Sequence, residues 1–285
     1  MVREFKLLNE KGQTFPLMDI DNYCLLTEPG GLGYSYQTEY ERVGNTFIES
    51  FRAIQQEPIN GTLNFSSYDN YKNFVDFVEN SETLRLAYKI PSLKKEKEYL
   101  KDVQIQSLGK TQKQTNGILS EPIVIDCKSL WYEENTTIYN IEPTSNEMRW
   151  NFRWESRFKD YNSRSIEYKN VGHVEAPILL EIEGPVNNPK IEIYIENQLY
   201  QRVTLTTNIT EYEKLLYSSK ENEFYINKQN TDGTIESLFN LDVLNFQEED
   251  EVVRLPKNID CKIQISADNT IQRARLTILP QFFAV

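Results

Sequence analysis

The sequence has one histidine, His173, and three cysteines in 285 residues. Cys24, Cys127 and Cys261 lie far apart, with no CxxC pair and no even-numbered set. That excludes a disulfide framework and a cysteine zinc site, and it leaves reduced, buried thiols as the expectation. Glycine is sparse. GGLG at 30–33 lacks the GxGxxG spacing of a dinucleotide turn, and no GxxxxGK[ST] phosphate loop occurs. The opening segment MVREFKLLNEKG has no apolar run of signal-peptide type, and no stretch reaches the length of a membrane span. The expectation is a soluble chain made in a cytoplasm, with no membrane insertion. Positive charge is also short: 31 basic residues against 43 acidic ones give a net charge of −12. Binding to nucleic-acid phosphates needs a basic face, and an anionic membrane would repel this chain. The densest acidic run, EEDE at 248–251, reads as a solvated loop.

Tyrosine and phenylalanine are plentiful, at 17 and 14. Both favour strands and protein contact surfaces. The dominant pattern is alternation. Phe5 and Leu7, a turn at NEKG (9–12), then Phe15 and Leu17 predict a hairpin. EPGGLG at 28–33 predicts a loop, with Tyr34 and Tyr36 resuming the alternation, and INGT at 59–62 predicts a turn. SYDNYKNFVDFVENS predicts one helix over about 67–80. Ser67 caps it, Asp69 sits in its first turn, and Tyr71, Phe74, Val75 and Val78 form its apolar stripe. Strands follow at TLRLAYKI, VQIQSL and IVIDC, with KKEKE (94–98) as a hairpin loop. WYEENTTIYNIEPTSNE (131–147) reads as a connection. Beyond Met148 only strands are expected, among them RWNFRW, Ile178 to Ile182, Ile191 to Ile195, and a closing pair around ADNT near 263–278. The fold class is mainly β, in two halves: 1–131 with one helix, a connection at 132–147, and a β-sandwich at 148–285.

Candidate chemistry is thin. His173 and Glu175 would share one face of a strand, but two ligands do not make a metal site, and no nucleophile or orienting group is nominated. With so many acids, pairs such as Glu181 with Glu183, or Glu192 with Glu196, arise on solvated faces. A glycosidase needs two carboxylates across a cleft. Asn-x-Ser/Thr matches at Asn60, Asn64, Asn135 and Asn208 have no secretion signal to support them. The aromatic row Trp150, Phe152 and Trp154 has two readings: core filling, or, for Trp150 and Trp154, an exposed platform that stacks on sugar rings. No catalytic residue, cofactor or metal is nominated, and no enzyme activity is expected.

One stretch carries more order than composition requires: GHVEAPILLEIEGPVNNPKIEIYI, 172–195. A glycine, a strand after Ala-Pro, then I-x-G-P-x-x-N-P and another strand resemble the phage distal tail protein family of siphophage tail components. The residues are Gly172, Pro177, Ile182, Gly184, Pro185, Asn188 and Pro189. The helix between LNF and LRLAY, and IDCKSLWY at 125–132, are similar to that family's first domain and its end. The resemblance covers most of the chain. It implies an N-terminal split β-barrel with a helix, assembling into a ring, hexameric in the family. It also implies a galectin-like C-terminal β-sandwich. Such a ring joins the tail tube protein to the tail-associated hub protein and to receptor-binding parts at the virion tail tip, after assembly in the host cytoplasm. Under this resemblance the matched residues are structural, and His173 is positional.

Three functions therefore compete. A ring-forming tail-tip component predicts an oligomer without turnover. A carbohydrate-binding module for cell-surface sugars predicts a tryptophan platform at Trp150 or Trp154. A glycoside hydrolase predicts activity that one carboxylate substitution abolishes.

Overall fold

A computed structural model describes residues 3–90, 97–110, 114–115, 117–140, 163–238, 252–269 and 271–285. The chain divides into two compact units, 1–133 with 282–285, and 134–281.

In the first unit the strands are β1 (Glu4–Asn9), β2 (Thr14–Pro16), β3 (Leu25–Gly30), β4 (Ser35–Val43), β5 (Thr46–Gln55) and β6 (Ile59–Phe65). After helix α1 (Tyr68–Glu79) come β7 (Leu84–Lys89), β8 (Glu98–Leu108), β9 (Gln114–Thr115), β10 (Ile118–Cys127) and β11 (Trp131–Tyr132). The main sheet runs β2-β1-β7-β8-β10-β6-β3. Its two ends meet: Leu26 N donates to Leu17 O at 2.7 Å, and Met18 bridges Leu25. The sheet thus curls into a barrel, which hides its edges. Inward residues alternate as expected, with Leu7, Leu63, Phe65 and Leu86 fully buried.

Helix α1 covers this core. Ser67 Oγ accepts from Asn70 N at 3.1 Å, and Asn80 ends the helix. Phe74 is the buried anchor, flanked by Tyr71, Phe77 and Val78. Phe77 thus takes the place expected for Val75. Burying one such ring contributes roughly 1.5–3 kcal/mol.

Two turn expectations are corrected here. INGT lies inside β6, where Ile59 and Leu63 are both buried. Gly61 serves close strand packing instead, because a Cβ there would stand 2.8 Å from Leu26 Cδ1. Likewise, the first half of EPGGLG belongs to β3, where the register with β6 shifts between Thr27 and Gly30. The expected KKEKE loop lies largely outside the described residues.

The second unit holds β12 (Asn135–Asn140), β13 (Ser163–Lys169), β14 (Ala176–Glu183), β15 (Val186–Asn187), β16 (Lys190–Ile195), β17 (Gln198–Thr204) and β18 (Asn208–Ile209). It continues with β19 (Lys214–Ser218), β20 (Tyr225–Gln229), β21 (Ile235–Ser237), β22 (Arg254–Leu255), β23 (Asp260–Ser266) and β24 (Arg273–Ile278). The last strand of the chain, β25 (Gln281–Phe282), instead pairs with β11 in the sheet of the first unit. One sheet runs β12-β24-β14-β19-β20-β21, the other β13-β23-β16-β17. Ile178, Leu180 and Ile182 from the first sheet share one core with Ile191, Ile193, Ile263 and Ile265 from the second. This is a sandwich.

Three further corrections follow. Asn135–Asn140, expected within a connection, is an edge strand paired along β24, with Thr136 Oγ1 2.9 Å from Thr277 Oγ1. NTTIYN is polar yet β-favouring, which suits an edge. The strands at 263–265 and 276–278 do not pair with each other. β23 lies in one sheet and β24 in the other, so the ADNT segment crosses between sheets. Last, His173 and Glu175 lie in a bend before β14, both exposed, rather than on a strand. The expected boundary at 148, Trp150, Phe152, Trp154 and EEDE fall outside the described residues.

Candidate functional site: an exposed ribbon and two locked corners

The stretch 172–195, singled out by its resemblance, places Gly172, Pro177, Gly184, Pro185, Asn188 and Pro189 around the two ends of β14, where the chain crosses between sheets. At the entry, Asn170 is fully buried and bonded on every side. Its Nδ2 donates to Val174 O at 2.8 Å and Leu255 O at 3.0 Å, and its Oδ1 accepts from Gly172 N at 2.8 Å. Gly172 has no room for a side chain: a Cβ would meet Gln281 N and O at 2.8 Å. His173 N donates to Gln281 O at 2.7 Å, so the histidine is held by its backbone. Pro177 is buried, and its carbonyl accepts from Leu279 N.

At the exit, the Gly184-Pro185 peptide is cis and Asn188 has φ of 46°. A Cβ on Gly184 would stand 2.0 Å from Thr210 O, a contact only glycine avoids. Pro189 is buried and accepts from Leu205 N at 2.9 Å. The second crossing clasps the first. Asn188 Nδ2 donates to Asp268 Oδ2 at 2.7 Å, Asn187 N to Asn269 Oδ1 at 2.8 Å, and Asn269 Nδ2 to Pro185 O at 3.1 Å. Asn170 and Asn269 escaped the sequence reading, because a side-chain amide that ties distant loops has no local pattern.

The carboxylate pairs are bound in ion pairs. Lys214 Nζ sits 2.7 Å from Glu181 and 3.6 Å from Glu183, and Arg273 and Arg275 reach the same two residues. Glu192 is gripped by Arg202 at 2.7 Å, whereas Glu196 sits in the β16–β17 turn with φ of 51°. Among the described residues no cluster of three or more His, Cys, Asp or Glu side chains could hold a metal ion. Burial pushes the Cys24 thiol up to about 12, with the Asp19 carboxylate adding to the shift.

The most unusual surface is the β4–β5 ribbon. Among the described residues these two strands pair only with each other, through a turn at Gly44 with φ of 64°. Register puts Tyr40, Arg42, Phe47 and Glu49 on one face, and Glu41, Val43, Ile48 and Phe51 on the other. Phe47 is 67% exposed, Tyr40 59%, Val43 56% and Ile48 53%. Tyr36 anchors the base beneath the Arg52 guanidinium, 3.9 Å from its ring. An isolated two-stranded hairpin is marginal in water, and apolar groups on both faces add to its cost of exposure. The ribbon therefore has the composition of a surface covered by another molecule. In the sequence, TFIESFRAI lacks clean alternation because a bulge between Glu39 and Tyr40 shifts the register.

Fold and surface together define a two-unit, mainly β protein that presents an apolar ribbon. Residues 4–128 match the family model for the distal tail protein, N-terminal domain. The whole chain superposes on a chain of the phage P2 baseplate in its activated conformation with calcium, at TM-score 0.69 and 15% identity, covering 100% of both chains. The strontium form of that baseplate gives TM-score 0.68 at 15% identity, again over 100% of both. The SPP1 Dit protein, titled a paradigm of hub adsorption apparatus in phages infecting Gram-positive hosts, gives 0.55 at 11% identity, covering 98% of this chain and 99% of that one. No curated protein matches the sequence. Residues 4–128 thus match a distal tail protein N-terminal domain, and the whole chain shares the fold of these baseplate and hub chains.

Proposed function

We propose that this protein forms a ring at the virion tail tip, hexameric as the family resemblance implies. There it joins the tail tube protein to the tail-associated hub protein and to receptor-binding parts. The observation that carries the proposal is the β4–β5 ribbon, apolar on both faces and exposed among the described residues. A second copy would cover it, and a head-to-tail contact repeated around an axis closes into a ring. The net charge of −12 suits a passage that DNA crosses without sticking. The corners at 170–172 and 184–189 hold the second unit rigid, so that contacts built on it keep their geometry. Assembly would take place in the host cytoplasm.

Light scattering during size-exclusion chromatography, with negative-stain images of the main peak, tests this. A closed ring that Phe47→Glu and Ile48→Glu each disperse supports it, since the two substitutions fall on opposite faces. A wild-type chain that stays monomeric as concentration rises, or rings untouched by both substitutions, overturns self-association through the ribbon.

A further inference from the structure

We propose a second site, for a neutral saccharide, in the groove between the β1–β2 hairpin and helix α1. The groove measures about 640 Å3, a size typical of small-ligand sites. Its apolar floor is a ring cluster in which Phe15 lies 5.1 Å from Tyr23 and 5.4 Å from Phe77. Its polar side chains include Lys11, Gln13, Asn73 and Asp76.

One of these groups is pre-set by a buried neighbour. Asn9 is 2% exposed, and its Oδ1 accepts from Lys11 N and Gln13 N. Asn9 Nδ2 donates to Gln13 Oε1 at 2.8 Å. That bond fixes which way the Gln13 amide points, leaving Nε2 as a donor toward the groove. The Asn73 amide, the Asp76 carboxylate and the Tyr23 hydroxyl make no side-chain hydrogen bond among the described residues. The groove thus offers one oriented donor at Gln13, further amide and hydroxyl groups, a carboxylate acceptor and an aromatic floor within one concavity.

The charges choose among ligands. Asp76 sits in the C-terminal half of α1, whose last turn has no basic residue. That end of a helix carries negative potential, and Lys11, which also lines the groove, offsets the Asp76 charge, so the lining is neutral overall. A single carboxylate is also too few for a divalent cation. A pyranose fits both needs, because its C–H face packs on rings while its hydroxyls donate and accept together.

The test is saturation-transfer NMR on the full chain with glucose, rhamnose and N-acetylglucosamine, and with mannitol as an acyclic control. Transfer to sugar ring protons is expected, weakened at least tenfold by Asn73→Ala and by Asp76→Asn. Both positions are exposed on the helix, and melting curves confirm that the variants fold. The ribbon variant Phe47→Glu should bind sugar like the parent, which separates this site from assembly. Absence of transfer from all three sugars overturns the proposal. Transfer equal to mannitol, or undiminished in both variants, also overturns it.

Discussion

Replacing Asn170 by alanine removes three hydrogen bonds at a fully buried position. The Gly172 N–H and the Val174 and Leu255 carbonyls lose this partner. Each buried group left unsatisfied costs about 1–3 kcal/mol. The carbonyls sit at the low end, since each keeps a second lone pair, and Val174 is only half-buried. The sum is about 3–5 kcal/mol, a large part of the roughly 5–15 kcal/mol that holds a domain together. For a unit of this size that lowers the melting temperature by about 10 °C, at roughly 2–4 °C per kcal/mol. Urea denaturation with tryptophan fluorescence and calorimetry gives the number. Asn170→Asp keeps the acceptor for Gly172 N but points an oxygen at two carbonyls. Its carboxyl pKa is raised in the folded state, so its stability should be highest in acid and fall as pH rises. A loss below about 1 kcal/mol for Asn170→Ala would refute the reasoning, because it would mean the freed groups find other partners.

Other outcomes are expected. Gly184→Ala should sharply lower the yield of folded protein, because its Cβ would collide with Thr210 O at 2.0 Å; native-like melting would contradict this. Ser67→Ala should cost about 1 kcal/mol through the lost helix cap, read by urea midpoint. Cys24 should resist alkylation in the folded protein at pH 8 and react on unfolding, as its thiol is pushed up to about 12 by burial. Tyr217 is likewise pushed up to about 12 by burial. Both folded values lie above the ordinary 9.0 and 10.0, so this stability is present below those values and is lost as pH rises toward about 12. Alkaline unfolding curves check the sign.

Some elements were legible because local signals agreed. In α1 the Ser67 cap, the 3.6-residue stripe around Phe74 and the Asn80 stop all pointed one way. The β1–β2 hairpin and the inward faces of β14 and β16 also showed as plain alternation. Where a local signal had two physical causes, the reading failed. Asn60-Gly61 has the composition of a turn, yet Gly61 is there to let β6 approach Leu26. NTTIYN was polar enough for a connection, and only pairing with β24 makes it a strand.

The sequence by itself determined the β class, the single helix and the special residues of the 172–195 stretch. It also carried the family resemblance, since short-range patterning is written in neighbouring residues. Only the tertiary structure decided that β14 and β16 lie in opposite sheets and that Asp268 and Asn269 clasp the turn between them. It alone showed the aromatic ribbon of β4 and β5 exposed among the described residues. The physical reason is the same in each case: burial and pairing depend on residues distant in the chain. A phenylalanine reads the same in sequence whether it fills a core or waits for a partner.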